Sequence, residues 1–267
     1  MDRYAVIGNP VGHSKSPRIH AAFAAQLGQD ISYSVLRSPK HRFVETLSTF
    51  LNRGGRGVNV TVPFKQQALR AVYVTDALAE AAGAVNTIVA GPDGRLHGYN
   101  TDGLGLVRDL VANLGCELTA ARVLVVGAGG AVRGIVVPLL DAGAHEVQIL
   151  NRTQSNAQAL VDAFAQYRVS HFVETSAPFD IVLNASSGGL AGASVKLPTA
   201  IIGSRTFAYD LSYGAAAQSF CQWASARGAR AVHDGLGMLV EQAAEAFALW
   251  RGVRPDTRPV IDLLRRP

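Results

Sequence analysis

The sequence predicts an α/β protein with two domains, a mixed-sheet domain followed by a Rossmann-like one. Strand-length apolar runs alternate with segments of helical periodicity along the whole chain. At about 150 residues per domain, a chain of 267 residues has room for two domains. A β-branched run, Arg122–Val126, ends in glycines that lead directly into a helical stretch. We expect the domains at 1–101 and 102–236, with the helices of 237–267 returning to the first domain.

The first domain begins with a β-α-β-α-β alternation, which indicates a parallel sheet with right-handed crossovers. Its strands are predicted at Tyr4–Gly8, Ile31–Leu36 and Gly57–Val62, and its helices at Pro17–Leu27 and His41–Leu51. The turn sequence Pro92-Asp93-Gly94 separates two further runs, Ala84–Ala90 and Arg95–Tyr99. This pattern predicts a hairpin, and the first sheet is therefore expected to be mixed.

The second domain repeats the alternation more regularly. A helix at Leu104–Leu114 precedes strands predicted at Arg122–Val126, Val147–Leu150, Asp180–Asn184 and Phe207–Leu211. The helices between and after them are predicted at Ala131–Leu140, Ser155–Phe164 and Ala215–Ala226. Two more helices, Leu236–Trp250 and Arg258–Leu264, are expected to pack on the first domain, since the second is complete without them.

Composition excludes several classes of protein. Hydrophobic residues make up 48% of the chain and charged residues 17%, which is typical of a folded chain with a core. The net charge of +5 comes from scattered basic residues, a distribution that favours small anionic ligands over nucleic acid. No charge-free apolar run reaches the roughly 18 residues of a membrane span. Without a leader pattern or metal-type Cys or His spacing, we expect a cytoplasmic protein with no metal and no membrane.

The segment Gly127-Ala128-Gly129-Gly130-Ala131 lies where a buried strand turns into a helix. Glycines there permit a tight turn and let the backbone approach a pyrophosphate at the helix start. Val132 stands at the third glycine position of the dinucleotide fingerprint, so the match is partial. The alternative is a purely structural strand–turn–helix corner.

The end of the next strand bears on the choice of dinucleotide. NAD-binding folds place Asp or Glu about 20 residues after the glycines, to bind the ribose 2′-hydroxyl. Here the strand ends in Asn151-Arg152-Thr153, and a guanidinium can pair with a 2′-phosphate. NADP is therefore favoured over NAD. The alternative is that Asn151 and Thr153 cap a helix and Arg152 is solvated.

Polar side chains follow the strands of the first domain, where a polyol-binding crevice of an α/β sheet needs them. They are Ser14, Ser16, Asn59, Thr61, Lys65, Asn86 and Asp102. Several of them have a simpler explanation, although helix capping does not explain Ser14. Ser16 and Asp102 suit helix N-caps, and Asn59 and Thr61 suit a half-exposed strand followed by a solvated Lys65.

These residues belong to collinear blocks through which the chain resembles the shikimate dehydrogenase family over nearly its whole length. The blocks are 8–20, 59–65, 83–87, 100–103, 127–131, 151–153 and 234–242. The resemblance implies NADPH-dependent reduction of 3-dehydroshikimate to shikimate, a step toward aromatic amino acids. It also implies a small-molecule substrate and NADP as the cofactor.

The resemblance also implies roles for single residues. The catalytic pair would be Lys65 and Asp102. The substrate would be held by that pair together with Ser14, Ser16, Asn59, Thr61, Asn86, Tyr213 and Gln242. The pyrophosphate would be held by Gly127, Ala128, Gly129, Gly130 and Ala131, the adenosine phosphate by Asn151, Arg152 and Thr153, and the nicotinamide side by Leu211 and Gly235.

The residue types suit this chemistry. Reduction of a ketone builds negative charge on its oxygen, so a proton donor and a cation are needed beside it, and Lys65 supplies both. Asp102 can orient the ammonium and accept a substrate hydroxyl, and the pair can titrate as a unit. The chain departs from the family where Ser155-Asn156 replaces a second basic residue and where Gly214-Ala215-Ala216-Ala217 follows Tyr213.

Three other functions are compatible with parts of the sequence. A quinate/shikimate dehydrogenase would use NAD or NADP and accept an additional hydroxyl. A non-catalytic NADP sensor would share the fold but would have less need of Lys65 and Asp102. Nucleic-acid binding would require a basic cluster, which the sequence lacks. A monomer and a homodimer both remain open.

Overall fold

The computed structural model describes residues 1–174, 177–186 and 197–266, and it divides into two compact units. Unit 1 comprises Met1–Gly105 and Val240–Pro267, and unit 2 comprises Leu106–Leu239. The divisions fall inside two helices, a few residues from the boundaries expected at 101/102 and 236/237. The predicted α/β class is confirmed, with a mixed sheet in unit 1 and a parallel, Rossmann-like sheet in unit 2.

The strands are β1 (Asp2–Gly8), β2 (Ile31–Arg37), β3 (Gly55–Val60), β4 (Val74–Thr75), β5 (Thr87–Ala90), β6 (Leu96–Tyr99), β7 (Arg122–Val126), β8 (Glu146–Leu150), β9 (Val169–His171), β10 (Ile181–Asn184), β11 (Phe207–Asp210) and β12 (Ala231–Asp234). The α-helices are α1 (Ser16–Leu27), α2 (Phe43–Asn52), α3 (Lys65–Ala71), α4 (Ala77–Ala82), α5 (Asp102–Arg108), α6 (Gly130–Asp141), α7 (Gln154–Ala163), α8 (Gln218–Ser225), α9 (Leu236–Arg251) and α10 (Arg258–Arg265). No helix of the described ranges is long and apolar enough to cross a membrane.

The sheet of unit 1 has the order β2-β1-β3-β5-β6-β4. The central strand β1 pairs in parallel with β2 and β3, whereas β5 pairs antiparallel with both β3 and β6. The predicted hairpin is therefore confirmed as β5–β6. Because β1 and β3 are parallel neighbours, the loops that follow them leave the same edge of the sheet.

The core of unit 1 lies on both faces of this sheet. On one face, α2 packs Phe43 and Leu47 against apolar side chains of β1 and β3. On the other, the Trp250 ring of α9 stacks on Tyr4 with centroids 4.6 Å apart, and its Nε1 donates to the Ile88 carbonyl at 3.0 Å. A Cβ at Gly57 would collide with the Trp250 indole, so a strand glycine permits this close packing.

The sheet of unit 2 has the order β12-β11-β10-β7-β8-β9, and all its pairs are parallel. Its central strands carry continuous apolar runs because a parallel sheet is covered by helices on both faces. Leu124, Val182 and Ala208 are fully buried in this core. The predicted strand Arg122–Val126 matches β7 at both ends.

Two predicted helices differ from those observed. The segment predicted as one helix, Leu104–Leu114, is α-helical only to Arg108 and continues as a π-helical turn, Asp109–Asn113. Asp109 is buried there and accepts hydrogen bonds from the Tyr209 hydroxyl and the Asn113 side-chain amide. The predicted helix Ala215–Ala226 begins instead as a 3₁₀ turn, Gly214–Ala217, before α8.

Candidate active site

The loops after β1 and β3 meet at one edge of the sheet in unit 1. The Asn9 N–H donates to the Val62 carbonyl at 3.0 Å, and the Thr61 N–H donates to the Ile7 carbonyl at 2.9 Å. Thr61 is half-buried, immediately beyond the end of β3. The loop that carries Ser14 is thus tied to the loop that carries Thr61.

Ser14 and Ser16 form a local hydroxyl pair. Ser14 Oγ accepts from the Ser16 N–H at 3.2 Å and donates to Ser16 Oγ at 3.1 Å. Helix α1 begins at Ser16 with Lys15 at the N-cap position, so the expectation that Ser16 caps this helix is wrong. Ser14 satisfies a free N–H of the helix start instead, because its hydroxyl lies two residues ahead.

Lys65 and Asp102 form an ion pair through Lys65 Nζ and Asp102 Oδ2. The Lys65 side chain is 20% exposed and that of Asp102 is 9% exposed, so Lys65 is not the solvated residue of the simpler explanation. Asp102 opens α5, but the Asn100 side chain accepts from its N–H at 3.2 Å. The Asn100 side chain therefore accepts a hydrogen bond from the first N–H of α5, and the Asp102 carboxylate binds Lys65 instead.

The second oxygen of the Asp102 carboxylate is held by Asn86. Asn86 Nδ2 donates to Asp102 Oδ1 at 2.8 Å and to Thr101 Oγ1 at 2.9 Å. Its Oδ1 accepts from the Thr101 N–H and from Thr87 Oγ1, both at 2.9 Å. The buried carboxamide thus has a protein partner for each of its hydrogen-bonding groups, and it fixes the orientation of Asp102.

Asn59 lies in the middle of the same polar group. It is buried in β3, where its Oδ1 accepts from the Tyr33 hydroxyl at 2.7 Å and its Nδ2 donates to Thr87 Oγ1 at 3.1 Å. The simpler explanation, in which Asn59 lies on a half-exposed strand, is therefore wrong. The reason is that β3 is a central strand, covered on both faces.

Gln242 reaches this region from α9. Thr101 Oγ1 donates to the Gln242 backbone carbonyl at 3.1 Å. A Cβ at Gly105 would lie 2.7 Å from the Gln242 Cβ, so this glycine allows α5 to approach α9 closely. Gln242 lies in unit 1, as do all the other predicted substrate residues except Tyr213, which lies in unit 2.

The glycine turn of unit 2 has the geometry of an anion-binding corner. Gly127 has a φ of 119°, a conformation that favours glycine, and a Cβ there would lie 3.0 Å from the Ala185 carbonyl carbon. At Gly129 and Gly130 a Cβ would meet no atom of the described residues within 4 Å. Packing against the described part of the chain therefore does not explain these two glycines, and the start of a helix is a position where backbone N–H groups can bind a phosphate.

The segment after β8 lies at the same sheet edge, because β7 and β8 are parallel neighbours with Val126 opposite Leu150. Asn151 Nδ2 donates to the Thr153 carbonyl at 2.8 Å. Thr153 occupies the N-cap position of α7, but its side chain makes no capping hydrogen bond. Arg152 is exposed and forms no ion pair with the residues that the structure describes, so its guanidinium is available to an anion.

Leu211, Tyr213 and Gly235 lie at the carboxyl ends of β11 and β12. The Gly235 N–H donates to the Ser212 carbonyl at 2.8 Å, and a Cβ at Gly235 would overlap the Leu211 carbonyl. Tyr213 is half-buried, and burial raises the pKa of its hydroxyl. These three predicted residues are therefore brought to one edge of unit 2.

Sequence reasoning missed two aspartates that hold these loops. Asp210 accepts from the Ser212 N–H and from Asn184 Nδ2, each at 2.7 Å, and burial raises its pKa. Asp234 accepts from the Gly214 N–H at 3.0 Å. Each aspartate is the last residue of its strand, a position that could have marked them in the sequence.

Family models match three consecutive parts of the chain. The shikimate dehydrogenase substrate binding domain matches residues 6–88, the shikimate/quinate 5-dehydrogenase model matches 109–191, and the shikimate 5′-dehydrogenase C-terminal domain matches 235–265. A relative from Hahella chejuensis, called shikimate dehydrogenase (NADP(+)), is 51% identical over 100% of this chain and 99% of its own. The chain belongs to the shikimate dehydrogenase family.

Solved structures of the family share the fold. An Ael1 enzyme from Pseudomonas putida is 43% identical, with a TM-score of 0.93 over 100% of this chain and 99% of its own. Shikimate 5-dehydrogenase from Thermus thermophilus, solved with NADP(H) and shikimate, is 36% identical, with a TM-score of 0.87 over 100% and 99% of the two chains. The similarity to shikimate dehydrogenases thus extends over the whole chain.

Proposed function

We propose that this protein is a shikimate dehydrogenase that reversibly reduces 3-dehydroshikimate to shikimate with NADPH, on the route to chorismate and the aromatic amino acids. The observation that carries the proposal is the half-buried Lys65–Asp102 ion pair, held by Asn86 among hydroxyl and amide side chains. The curated relative, named for this reaction and matched from end to end, supports it.

In this proposal Lys65 moves the proton. During reduction its ammonium donates a proton to the oxygen that becomes a hydroxyl, and during oxidation the neutral amine accepts that proton. Asp102 keeps the Lys65 Nζ in place through one carboxylate oxygen, while Asn86 holds the other.

The remaining polar side chains of unit 1 orient the substrate. Shikimate carries one carboxylate and three hydroxyls, and hydroxyl and amide side chains can donate and accept the hydrogen bonds that these groups need. We assign this role to Ser14, Ser16, Asn59, Thr61, Asn86 and Gln242, with Tyr213 contributed by unit 2. The paired hydroxyls of Ser14 and Ser16 favour the substrate carboxylate as their ligand.

Unit 2 would hold NADP. The bound nicotinamide supplies or accepts the hydride, and the protein positions it. Gly127 to Ala131 would hold the pyrophosphate, because the described residues leave the space beside Gly129 and Gly130 open and the first turn of α6 presents backbone N–H groups. Asn151, Arg152 and Thr153 would hold the adenosine phosphate, and Leu211 and Gly235 would line the nicotinamide. We further propose that the protein acts in the cytoplasm, as a monomer or homodimer.

The test is turnover of shikimate and of quinate, each with NADP and with NAD, followed by the absorbance of the reduced nicotinamide. The proposal predicts the highest kcat/KM for shikimate with NADP. A higher kcat/KM for quinate with NAD would instead show a quinate/shikimate dehydrogenase. Binding of NADP without turnover of either substrate would show a sensor.

A further inference from the structure

The predicted substrate residues of unit 1 are joined by two side chains that are not among them. One is Tyr33, whose hydroxyl donates to Asn59 Oδ1 at 2.7 Å. The other is Thr87, whose Oγ1 accepts from Asn59 Nδ2 at 3.1 Å and donates to Asn86 Oδ1 at 2.9 Å. A chain of hydrogen bonds therefore runs from Tyr33 through Asn59, Thr87 and Asn86 to Asp102 and Lys65.

Each link of this chain has a defined direction. The Tyr33 hydroxyl donates to the Asn59 oxygen, so the Asn59 amide nitrogen faces Thr87. Thr87 then uses its single proton on the Asn86 oxygen, and the Asn86 amide nitrogen faces Asp102. A carboxamide turned by 180° would place an oxygen against the Asp102 carboxylate, which is repulsive. The chain thus selects the orientation in which Asn86 holds Asp102.

The two linking residues are held firmly. Thr87 is fully buried in β5. The Tyr33 ring stacks on His20, with centroids 4.2 Å apart and an angle of 7° between the planes. Burial raises the pKa of Tyr33 far above its ordinary value, and the nearby Ser16 side chain opposes this by a smaller amount. The Tyr33 hydroxyl therefore keeps its proton and donates it to Asn59.

We propose that Tyr33 and Thr87 are positioning residues that set the carboxamides of Asn59 and Asn86 and thereby aim the Asp102 carboxylate at Lys65. The inference rests on the proposed function. Their hydroxyls act through Asn59 and Asn86, and neither is assigned a contact with the reacting atoms. Loss of either hydroxyl removes one of the hydrogen bonds that orient Asn59 or Asn86. The amide is then held less firmly, and the effect falls on the substrate chemistry rather than on NADP.

Thr87→Val removes one hydroxyl and keeps the shape of the side chain. We expect kcat/KM for shikimate to fall about 10- to 100-fold, the range for lost hydrogen bonds near a charged group, and KM for NADP to stay within about twofold. Thr87→Ser restores the hydroxyl and should recover most of the loss. The control is Thr206→Val in unit 2, because Thr206 is also fully buried and makes two hydrogen bonds.

Tyr33→Phe provides a second, milder variant that keeps the ring against His20. Its control is Tyr4→Phe, since Tyr4 lies opposite Tyr33 on the neighbouring strand and its ring is likewise stacked, on Trp250. Tyr33→Phe should lower kcat/KM for shikimate and Tyr4→Phe should not. In the double variant with Thr87→Val, the fold-loss of kcat/KM should be smaller than the product of the two single losses. The reason is that both substitutions interrupt the same chain of hydrogen bonds.

Several results would overturn the inference: losses no larger than in the controls, no recovery with serine, or a full product of losses in the double variant. A wild-type protein without shikimate turnover would defeat the proposed function instead. In that case the chain of hydrogen bonds is still tested, without turnover, by the NMR signals of the Asn59 and Asn86 side-chain amides. These signals are assigned with Asn59→Asp and Asn86→Asp. Thr87→Val should shift both signals and Thr206→Val neither, and unshifted signals in Thr87→Val would overturn the chain itself.

Discussion

At the level of single residues, His20 is a polar side chain buried among aromatic rings in the interior of unit 1. It is fully buried on α1, and its ring lies against Tyr33, Phe23, Phe247 and Trp250. Neither ring nitrogen makes a hydrogen bond of normal geometry within the described residues, although the nearby Asn59 side chain slightly favours protonation. Burial lowers the pKa of His20 from 6.5 to about 3.

This shift predicts a specific dependence of stability on pH. Below pH 6.5 the unfolded chain binds a proton at His20 that the folded protein does not, until the pH approaches about 3. The stabilisation is therefore complete above pH 6.5, and it falls by about 1.4 kcal/mol for each pH unit below that value. His20→Phe should flatten the curve of unfolding free energy between pH 6 and 4, measured by urea denaturation at each pH.

The control for this prediction is His41→Phe, because His41 is exposed before α2. It should leave the slope of the wild type unchanged. A His20→Phe variant with the same slope as the wild type would show that His20 is not the titrating group.

The residues of the candidate site could be proposed from the sequence, but the hydrogen bonds that join them could not. Ser14, Asn59 and Lys65 were found because polar side chains after parallel strands collect at one sheet edge. The partners depend on the antiparallel register of β3 with β5, which places Asn59 opposite Thr87. No local pattern encodes that register. A weak signal for Thr87 and Thr101 was present, since each follows an asparagine of the site.

At the level of elements, Asp109 joins three parts of unit 2. The Tyr209 hydroxyl of β11 donates to Asp109 Oδ2 at 2.7 Å, and it accepts from the Met238 N–H of α9 at 3.3 Å. A Cβ at Gly237 would overlap the Asp109 carboxylate, so α9 approaches the π-helical turn closely. Burial and the nearby Asp109 raise the pKa of Tyr209 well above its ordinary value, and the hydroxyl therefore remains a donor.

Tyr209→Phe should destabilise unit 2 without removing a predicted ligand-binding group. The buried Asp109 carboxylate loses one donor and the Met238 N–H loses its acceptor, which costs about 2 kcal/mol. We expect a lower unfolding midpoint by calorimetry. Tyr167→Phe is the matched control, because the Tyr167 hydroxyl makes no hydrogen bond with described residues of the chain. Equal midpoints for the two variants would contradict the role assigned to Tyr209.

The elements that the sequence predicted share a physical basis. A β-branched apolar run such as β7 and a long amphipathic helix such as α9 carry patterns that can be recognised in the sequence. The elements missed are the helices α3 and α4, of seven and six residues, and the strands β4, β9 and β12, of two to four residues. These elements depend on tertiary contacts, as when β4 pairs with β6 through Val74 opposite His97.

At the scale of the whole molecule, the candidate ligand groups divide between the two units. The acid–base pair and the substrate residues other than Tyr213 lie in unit 1, and the glycine turn and Arg152 lie in unit 2. Each unit has its own six-stranded sheet and its own core. We therefore expect each ligand to be bound mainly by one unit.

Thermal shifts should separate the two ligands. A ligand that binds only the folded protein stabilises it by about 2.7 kcal/mol at 100 times its Kd. Arg152→Ala should shrink the rise in Tm caused by NADP and leave the rise caused by shikimate, whereas Ser16→Ala should do the reverse. Arg168→Ala, which removes an exposed arginine just before β9, is the control and should change neither rise. Loss of both rises in Arg152→Ala would contradict the division of ligands between the units.

The central claim is that Lys65 performs the proton transfer on shikimate, and kcat for Lys65→Met measured beside the wild type tests it most directly. Methionine keeps the length of the side chain and removes its charge and its proton. We predict that kcat for shikimate oxidation with NADP falls by about 100- to 10,000-fold, while the Kd for NADP stays unchanged. Lys40→Met, at an exposed lysine, should retain the wild-type rate. A Lys65→Met rate within a few-fold of the wild type would contradict the account.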